Sequence, residues 1–211
     1  MTEAEAQKLF GDRFIGINQL EAISSHLPVA LGAVEPIPWH DDVLQAHADT
    51  HILLYCPATF VDGTPVTINS LRTHFGMDPS IHEPCFYNQD WYVKDPFASS
   101  SLEACWRLMR VPVLEEARAQ LPDTIEASLA PHETFPAAVT CAFAFFTYWF
   151  HTGGEILWRN DFIWCRDRDH QGDRIYVGRY EDPTGINRNG FSVHRHLALR
   201  PVYSAAPEIM W

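Results

Sequence analysis

The sequence predicts an α+β fold in which a central buried helix packs on a small antiparallel sheet, with additional short helices and long irregular segments. Two patterns predict this class. An apolar run of helical length spans 136–151, and three strand-like runs follow it at 162–165, 174–180 and 192–199. The chain is 46% hydrophobic and 13% aromatic, which is typical of an ordered protein with a sizeable core and excludes a disordered one.

The length of 211 residues predicts a single domain over 1–211. We divide it into a helical N-terminal portion, 1–50, and an α+β core, 51–204. The N-terminal portion opens with Thr2 and, three residues later, Glu5, a capping-box pattern that predicts a short first helix.

The next elements alternate between helix and strand signals. His40-Asp41-Asp42 opens a second helix, because acidic residues favour the first turn. Residues 51–56 form a short apolar run of strand length. After a turn, Thr67 or Asn69 can cap a helix that ends at Gly76. A strand, a turn and a helix are therefore predicted in sequence.

The middle of the chain carries weaker signals. Residues 83–97 are aromatic but bracketed by prolines, which predicts an extended, irregular segment. Residues 99–109 begin like a helix. Residues 114–121 form a second short helical pattern, with acids first and an arginine later.

The apolar run at 136–151 has two interpretations, a membrane span or a central core helix. A span needs about 20 apolar residues, and this run is shorter before Gly153-Gly154 ends it. We therefore predict a core helix. The three runs after it are separated by turn clusters and predict an antiparallel meander packed on that helix.

Charge and cysteine content narrow the range of partners. Fifteen Lys and Arg stand against 27 Asp and Glu, a formal net charge of -12, so broad nucleic-acid binding is not expected. The five cysteines are an odd number without a CxxC pair, which favours reduced thiols and a cytoplasmic location. The first ten residues, MTEAEAQKLF, lack the basic start and the apolar run that a secretion signal would show. We expect a protein partner or a small ligand, no membrane, and self-association into a homo-oligomer as a further option.

A candidate metal loop lies at 167–173. Asp167 and Asp169 occupy loop positions one and three, Gln171 position five and Gly172 position six, the order found in calcium loops. Position twelve lacks the usual glutamate, so the alternative is a polar hairpin turn.

Two histidines extend the candidate metal site. His194 and His196 alternate in a strand and so project to one face, where imidazoles can bind a transition metal. The full set of candidate ligands adds these two histidines to the acids and the histidine of the loop: Asp167, Asp169, His170, Asp173, His194 and His196. The cofactor would be a divalent cation, calcium or zinc. Hydrogen-bonded structural histidines are the alternative.

A second candidate site is the turn before the last predicted strand. Asn187, Arg188 and Asn189 could present two amides and a guanidinium to a ligand or partner, with Arg195 nearby. The alternative is a plain chain reversal.

Several strings carry a resemblance to other proteins. EPCFYNQDWY, DPFA, FHTGGEILW, DFIWCRDRDHQGDRIYVGRY and GINRNGFSVHRHLALR resemble a family of uncharacterised bacterial proteins over roughly Glu83–Arg200. This resemblance implies a bacterial source. It indicates neither an activity nor a ligand nor a catalytic residue. The closing GFSVHRHLALR is also similar to the last strand of C-type-lectin-like ligand-binding domains.

Three functional hypotheses are compatible with these sequence features. The first is a non-enzymatic ligand- or protein-binding protein, favoured by the abundant aromatics and the turn-rich meander. The second is a divalent-metal-dependent hydrolase or nuclease that uses the 167–173 loop with His194 and His196. The third is a structural homo-oligomer, which predicts an exposed apolar patch at tryptophans: Trp39, Trp91, Trp158 or Trp211.

Overall fold

The computed structural model describes residues 1–184, 189–195 and 199–211. The α-helices in these residues are Glu3–Phe10 (α1), Ile17–Ala22 (α2), Asp41–His47 (α3), Ile68–Phe75 (α4), Pro122–Ser128 (α5) and Ala138–Thr152 (α6). The strands are Phe14–Ile15 (β1), His51–Cys56 (β2), Cys105–Arg110 (β3), Glu133–Thr134 (β4), Phe162–Arg168 (β5), Arg174–Gly178 (β6), Ser192–Arg195 (β7), Tyr203–Ser204 (β8) and Glu208–Ile209 (β9). Three short 3-10 helices span Gly11–Arg13, Pro96–Ser99 and Glu115–Ala117.

The strands of the described residues form two sheets. The first has the order β1-β2-β3-β9-β4 and the second β7-β6-β5-β8. Most neighbours are antiparallel, whereas β1 pairs parallel with β2, and β5 parallel with β8. The predicted α+β class is confirmed.

Helix α6 lies at the centre of the fold, as the sequence predicts. It packs against α2, α4 and strands of both sheets, and its residues 138–148 are all buried. Phe146 stacks on Phe75 of α4 with ring centroids 4.0 Å apart. The helix ends at Gly153, whose φ of 75° lies in the left-handed region that glycine adopts without a Cβ penalty.

The predicted meander is also confirmed. β5 pairs antiparallel with β6, and β6 pairs antiparallel with β7. The predicted N-terminal caps are present as well: the Thr2 hydroxyl accepts from Glu5 N, and the Thr67 hydroxyl accepts from Ser70 N.

The predicted helical beginning at 99–109 is wrong, because residues 100–104 form no helix and strand β3 follows them. Every residue of β3 pairs with β2, from His51 opposite Arg110 to Cys56 opposite Cys105. A continuous ladder with a fully buried neighbour outweighs weak helical propensity. In the next predicted segment, only Glu115–Ala117 is helical, and α5 follows beyond it.

Both ends of the chain contribute strands to the first sheet. β1 comes from the portion predicted to be helical, and β9 lies beyond residue 204, where the predicted core ended. Each of these strands has only two residues, too few to show an alternating pattern.

Among the described residues, no helix has both the length and the apolar character that crossing a membrane requires. The five cysteines are free thiols.

Candidate functional site

The turn between β5 and β6 is closed by the carboxylate of Asp169. Its Oδ1 accepts hydrogen bonds from the main-chain N–H groups of Gln171, at 2.9 Å, and Asp173, at 2.8 Å. Its Oδ2 accepts from Arg195 Nη1 at 3.1 Å. Burial raises the pKa of this carboxyl, but these hydrogen bonds outweigh burial and hold the pKa below its usual value. Asp169 is therefore an ionised and well-paired group.

His170 pairs with Asp95, which directly precedes the second 3-10 helix. Its Nδ1 lies 2.7 Å from Asp95 Oδ1, and its main-chain N–H donates to the same oxygen at 3.0 Å. The Asp95 side chain is only 3% exposed. The pair therefore ties the β5–β6 turn to a distant part of the chain.

Arg195 and Trp91 cover the other side of this turn. The guanidinium of Arg195 lies 5.4 Å from the centre of the Trp91 ring, within cation–π distance. The Trp91 indole N–H donates to Val193 O at 3.1 Å. Arg195 also reaches Gln171 Oε1 at 3.3 Å. These contacts hold β7 against the turn.

His194 faces aromatic rings on the second sheet. Its ring stacks on Tyr176 with centroids 5.3 Å apart and meets Phe162 edge-on at 5.7 Å. Its Nδ1 lies 3.3 Å from Gln89 Nε2. Burial lowers its pKa, so the imidazole is neutral at pH 7.

Asp167 lies apart from the turn, at the start of helix α6. Its Oδ2 accepts a hydrogen bond from Ala138 N at 2.6 Å. The N-cap residue of α6, Ala137, provides no side-chain hydrogen bond of its own. A carboxylate from β5 thus caps this helix, which favours negative charge at its N-terminus. Burial nevertheless raises the pKa of Asp167 above its usual value.

The predicted metal ligands are therefore in different environments. Asp173 closes the turn through its main chain, with its carbonyl accepting from Asp169 N at 2.9 Å. Among the described residues, no three or more His, Cys, Asp or Glu side chains form a group that could hold a metal ion. His196 lies outside the described residues, so the calcium or zinc site stays a prediction.

The second predicted site is only partly described. Asn187 and Arg188 lie outside the described residues, and Asn189 is partly buried. Gly190, next to it, packs so closely on Phe86 that a Cβ would lie 2.3 Å from the Phe86 carbonyl carbon. The end of this turn is therefore held against the segment before residue 90.

A different site stands out in the structure: a cavity of about 420 Å³ at one end of β3 and β9. We call it the tryptophan–arginine cavity. It is lined by one residue before α3, by the start of β3 and the two residues before it, by one β5 residue and by the C-terminal segment: Trp39, Glu103, Ala104, Cys105, Trp106, Arg107, Arg166, Glu208, Ile209, Met210 and Trp211.

A smaller cavity of about 220 Å³ adjoins it. The two cavities share Glu103, Arg107 and Arg166. The smaller one is also lined by Thr140 and Asp167 at the N-terminal end of α6. Of the predicted site residues that the structure describes, only Asp167 lines either of these two cavities.

Glu208 is the central polar group of the tryptophan–arginine cavity. It is only 2% exposed. Its Oε2 lies 3.5 Å from Arg107 Nη1, and its Oε1 lies 3.9 Å from Arg166 Nη1, beyond hydrogen-bond distance. No described residue forms a hydrogen bond with Oε1. Burial raises the pKa of Glu208, and the two arginines only partly oppose this.

Two N–H groups in the cavity wall also lack partners among the described residues. They are the Nε1 of Trp39 and the Nε of Arg107, both buried. The Nη2 of Arg107, by contrast, pairs with Glu103 Oε2 at 2.9 Å. Buried polar groups are normally hydrogen-bonded, whereas these residues leave two donors and one acceptor unpaired among the described residues.

Strand geometry explains why these groups meet. Glu208 on β9 pairs with Met109 on β3, so Arg107, two residues earlier in β3, is its diagonal neighbour on the same face of the sheet. Side chains two apart on a strand share a face, which places Cys105 next to Arg107.

No sequence pattern predicted this site. The available signals were an isolated glutamate in the apolar end AAPEIMW and an arginine inside the strand-like CWRLMR. A lone charge within an apolar strand predicts a buried charge, but the pairing of β3 with β9 was not predictable from either string.

The tryptophans that were predicted to form an exposed patch differ in burial. Trp39 and Trp158 are 6% and 4% exposed, whereas Trp211 is 76% exposed beside Met210, which is 55% exposed. Trp91 is partly buried. Self-association stays a prediction.

Comparisons of this chain with family models, curated proteins and solved structures find no match.

Proposed function

We propose that this protein binds a small ligand in the tryptophan–arginine cavity and that it acts as a non-enzymatic binding protein. The observation that carries the proposal is the carboxyl group of Glu208, which is buried in a cavity wall with one oxygen unpaired.

The size and lining of the cavity support this proposal. Small-molecule sites span about 300–1,000 Å³ and combine apolar walls with a few polar groups. The volume of about 420 Å³ lies in this range. Trp39, Met210 and Trp211 contribute apolar lining, and Glu208 and Arg166 provide the polar groups.

A purely structural role explains Glu208 less well. A buried carboxyl is costly unless it is paired and hydrogen-bonded. The contact with Arg107 is 3.5 Å, long for a charge-assisted hydrogen bond, and Oε1 is unpaired. Asp169 shows what a structural carboxylate looks like in the same chain, since both of its oxygens accept hydrogen bonds.

A thermal-shift screen tests the proposal. The wild type is melted alone and with millimolar amino acids, primary amines, monocarboxylates, nucleobases and monosaccharides. We expect at least one compound to raise the melting temperature, since a ligand that binds the folded state stabilises it. The increase should be absent in Glu208→Gln.

The matched control for the screen is Glu116→Gln, which makes the same chemical change at an exposed residue outside both cavities. It should respond like the wild type. If no compound in the panel shifts the wild type, or if Glu208→Gln responds as strongly as the control, the cavity is not the ligand site.

A further inference from the structure

The unpaired groups of the cavity wall constrain the chemistry of the ligand. One of them, Glu208 Oε1, accepts hydrogen bonds, and two of them, Trp39 Nε1 and Arg107 Nε, donate. A ligand with only donors would leave the two N–H groups unpaired, and a ligand with only acceptors would leave the carboxylate oxygen unpaired. Leaving a buried polar group unpaired is unfavourable. The ligand therefore needs donors and acceptors together.

The side-chain charges of the cavity constrain the net charge of the ligand. Glu103 and Glu208 stand against Arg107 and Arg166, so the ionised wall is balanced. A monovalent cation or anion would add one uncompensated charge to a site in which Glu208 is 2% exposed, and buried charges are unfavourable without a partner. A ligand with no net charge avoids this.

The positions of the charges favour separated positive and negative groups on the ligand. Arg107 is already engaged by Glu103 at 2.9 Å, whereas Arg166, 43% exposed, has no carboxylate closer than 3.9 Å among the described residues. Arg166 is thus free to bind an anionic group, while Glu208 Oε1 is free to accept from a cationic one. Guanidinium binds carboxylate in a bidentate manner.

The remaining wall is apolar. Its apolar lining includes Trp39, which is 6% exposed, and Trp211, which is 76% exposed. Large aromatic side chains make apolar surface and cation–π contacts available. An apolar or aromatic side chain on the ligand matches this part of the cavity.

Resting on the proposed function, we infer that the ligand is a zwitterion of the α-amino-acid class with an apolar side chain. Its ammonium group donates to Glu208, its carboxylate accepts from Arg166 and from the unpaired N–H groups, and its side chain packs on the tryptophans.

Matched probe triples test this inference by calorimetry. The first triple is L-phenylalanine, 2-phenylethylamine and 3-phenylpropanoate, and the second is L-leucine, isoamylamine and 4-methylpentanoate. Within a triple the compounds share an apolar side chain and differ in the charged groups. In at least one triple, we expect the amine and the acid each to bind about tenfold more weakly than the amino acid, since a charge-assisted hydrogen bond is lost.

Two variants assign each charged group to its partner. In Glu208→Gln, the ratio of affinities between the amino acid and its acid should fall toward one, because the ammonium group has lost its carboxylate. In Arg166→Gln, the ratio between the amino acid and its amine should fall instead. A variant that merely weakens the fold would weaken all three compounds together, and Glu116→Gln should keep both ratios. Circular dichroism melts confirm folding of each variant.

The outcomes separate the inference from the proposed function. If an amine, an acid or a neutral base such as adenine binds at least as tightly as the amino acids, and Glu208→Gln weakens that binding, the cavity is a ligand site but the zwitterion inference is wrong. If neither these probes nor the screened compounds bind in a manner that depends on Glu208, both are wrong. Unchanged ratios in the two variants would also overturn the inference.

Discussion

The β5–β6 turn and the tryptophan–arginine cavity both place a buried carboxyl beside arginine, yet the two regions have opposite electrostatic character. Asp169 in the turn accepts three hydrogen bonds, and its pKa is lowered. Glu208 in the cavity has a long contact to Arg107 and an unpaired oxygen, and its pKa is raised. A carboxyl whose hydrogen bonds are complete stabilises the fold, whereas a buried carboxyl with an unpaired oxygen is a candidate for ligand binding.

The largest effect is expected from Asp169→Asn. The amide cannot accept from two main-chain N–H groups and from Arg195 as the carboxylate does, and Arg195 loses its buried counter-charge. We expect the free energy of unfolding at pH 7 to fall by about 2–3 kcal/mol, measured by urea denaturation.

The pH dependence of the Asp169 variant provides an internal check. Because the folded-state pKa of Asp169 is lowered, its stabilisation is complete above the unfolded pKa, about 3.9, and is lost as pH falls through the folded pKa. The difference in the free energy of unfolding between wild type and variant should therefore shrink below about pH 4. A difference that stays constant down to pH 2 would show that it does not come from ionisation of Asp169.

A smaller effect of opposite sign is expected from Glu208→Gln. The folded-state pKa of Glu208 is raised, so ionisation of this group disfavours the folded state. This cost to stability is absent below the pKa of Glu208 in the unfolded state, about 4.3, and is complete above its pKa in the folded state. The variant should be more stable than wild type at pH 7 by about 1 kcal/mol.

The same denaturation series at acid pH completes this comparison. Below about pH 4, the stabilising effect of Glu208→Gln should vanish because the wild-type carboxyl is protonated. Glu116→Gln, at an exposed site, should show neither effect. A variant that is clearly less stable than wild type at pH 7 would mean that Glu208 is a structural partner of Arg107, and the contrast between the two regions would fail.

The smallest effect is expected from calcium at the turn. Both Asp169 oxygens already accept hydrogen bonds, and a cation would have to displace them. Adding millimolar Ca²⁺ should change the melting temperature of wild type by less than about 1 °C. A clear increase that Asp169→Asn abolishes would restore the predicted calcium loop. Elemental analysis of dialysed protein tests zinc in the same way.

Most of the fold was predictable because its strongest elements carry local signals. The run at 136–151 is apolar on all faces, and α6 forms there with Gly153 at its end. The capping residues Thr2 and Thr67 start α1 and α4 as their sequence positions indicate. Residues 99–109 were predicted wrongly because their strand conformation comes from pairing with β2, which no local pattern contains.

The candidate site was less predictable than the fold. The many polar residues at 167–173 predicted a metal site, with a polar hairpin turn as the alternative. Asp169 and Asp173 close a hairpin turn there. Glu208 and Arg107 are 101 positions apart in the chain and lie in apolar strings. A local sequence pattern shows polar residues only when they are close together in the chain. The polar residues of this cavity come together only in the folded structure.

By itself, the sequence determined the α+β class, the central helix and the antiparallel meander, because apolar periodicity and caps act over a few neighbouring residues. Which carboxyl groups have all their hydrogen-bond partners depends on the tertiary structure. That depends on the two-residue strand β9, which pairs with β3 through Met109 and Glu208 and brings Glu208 to Arg107 and Arg166. Hydrogen bonding and burial are properties of the packed chain, so the same residue type becomes a turn-closing group at Asp169 and a candidate ligand-binding group at Glu208.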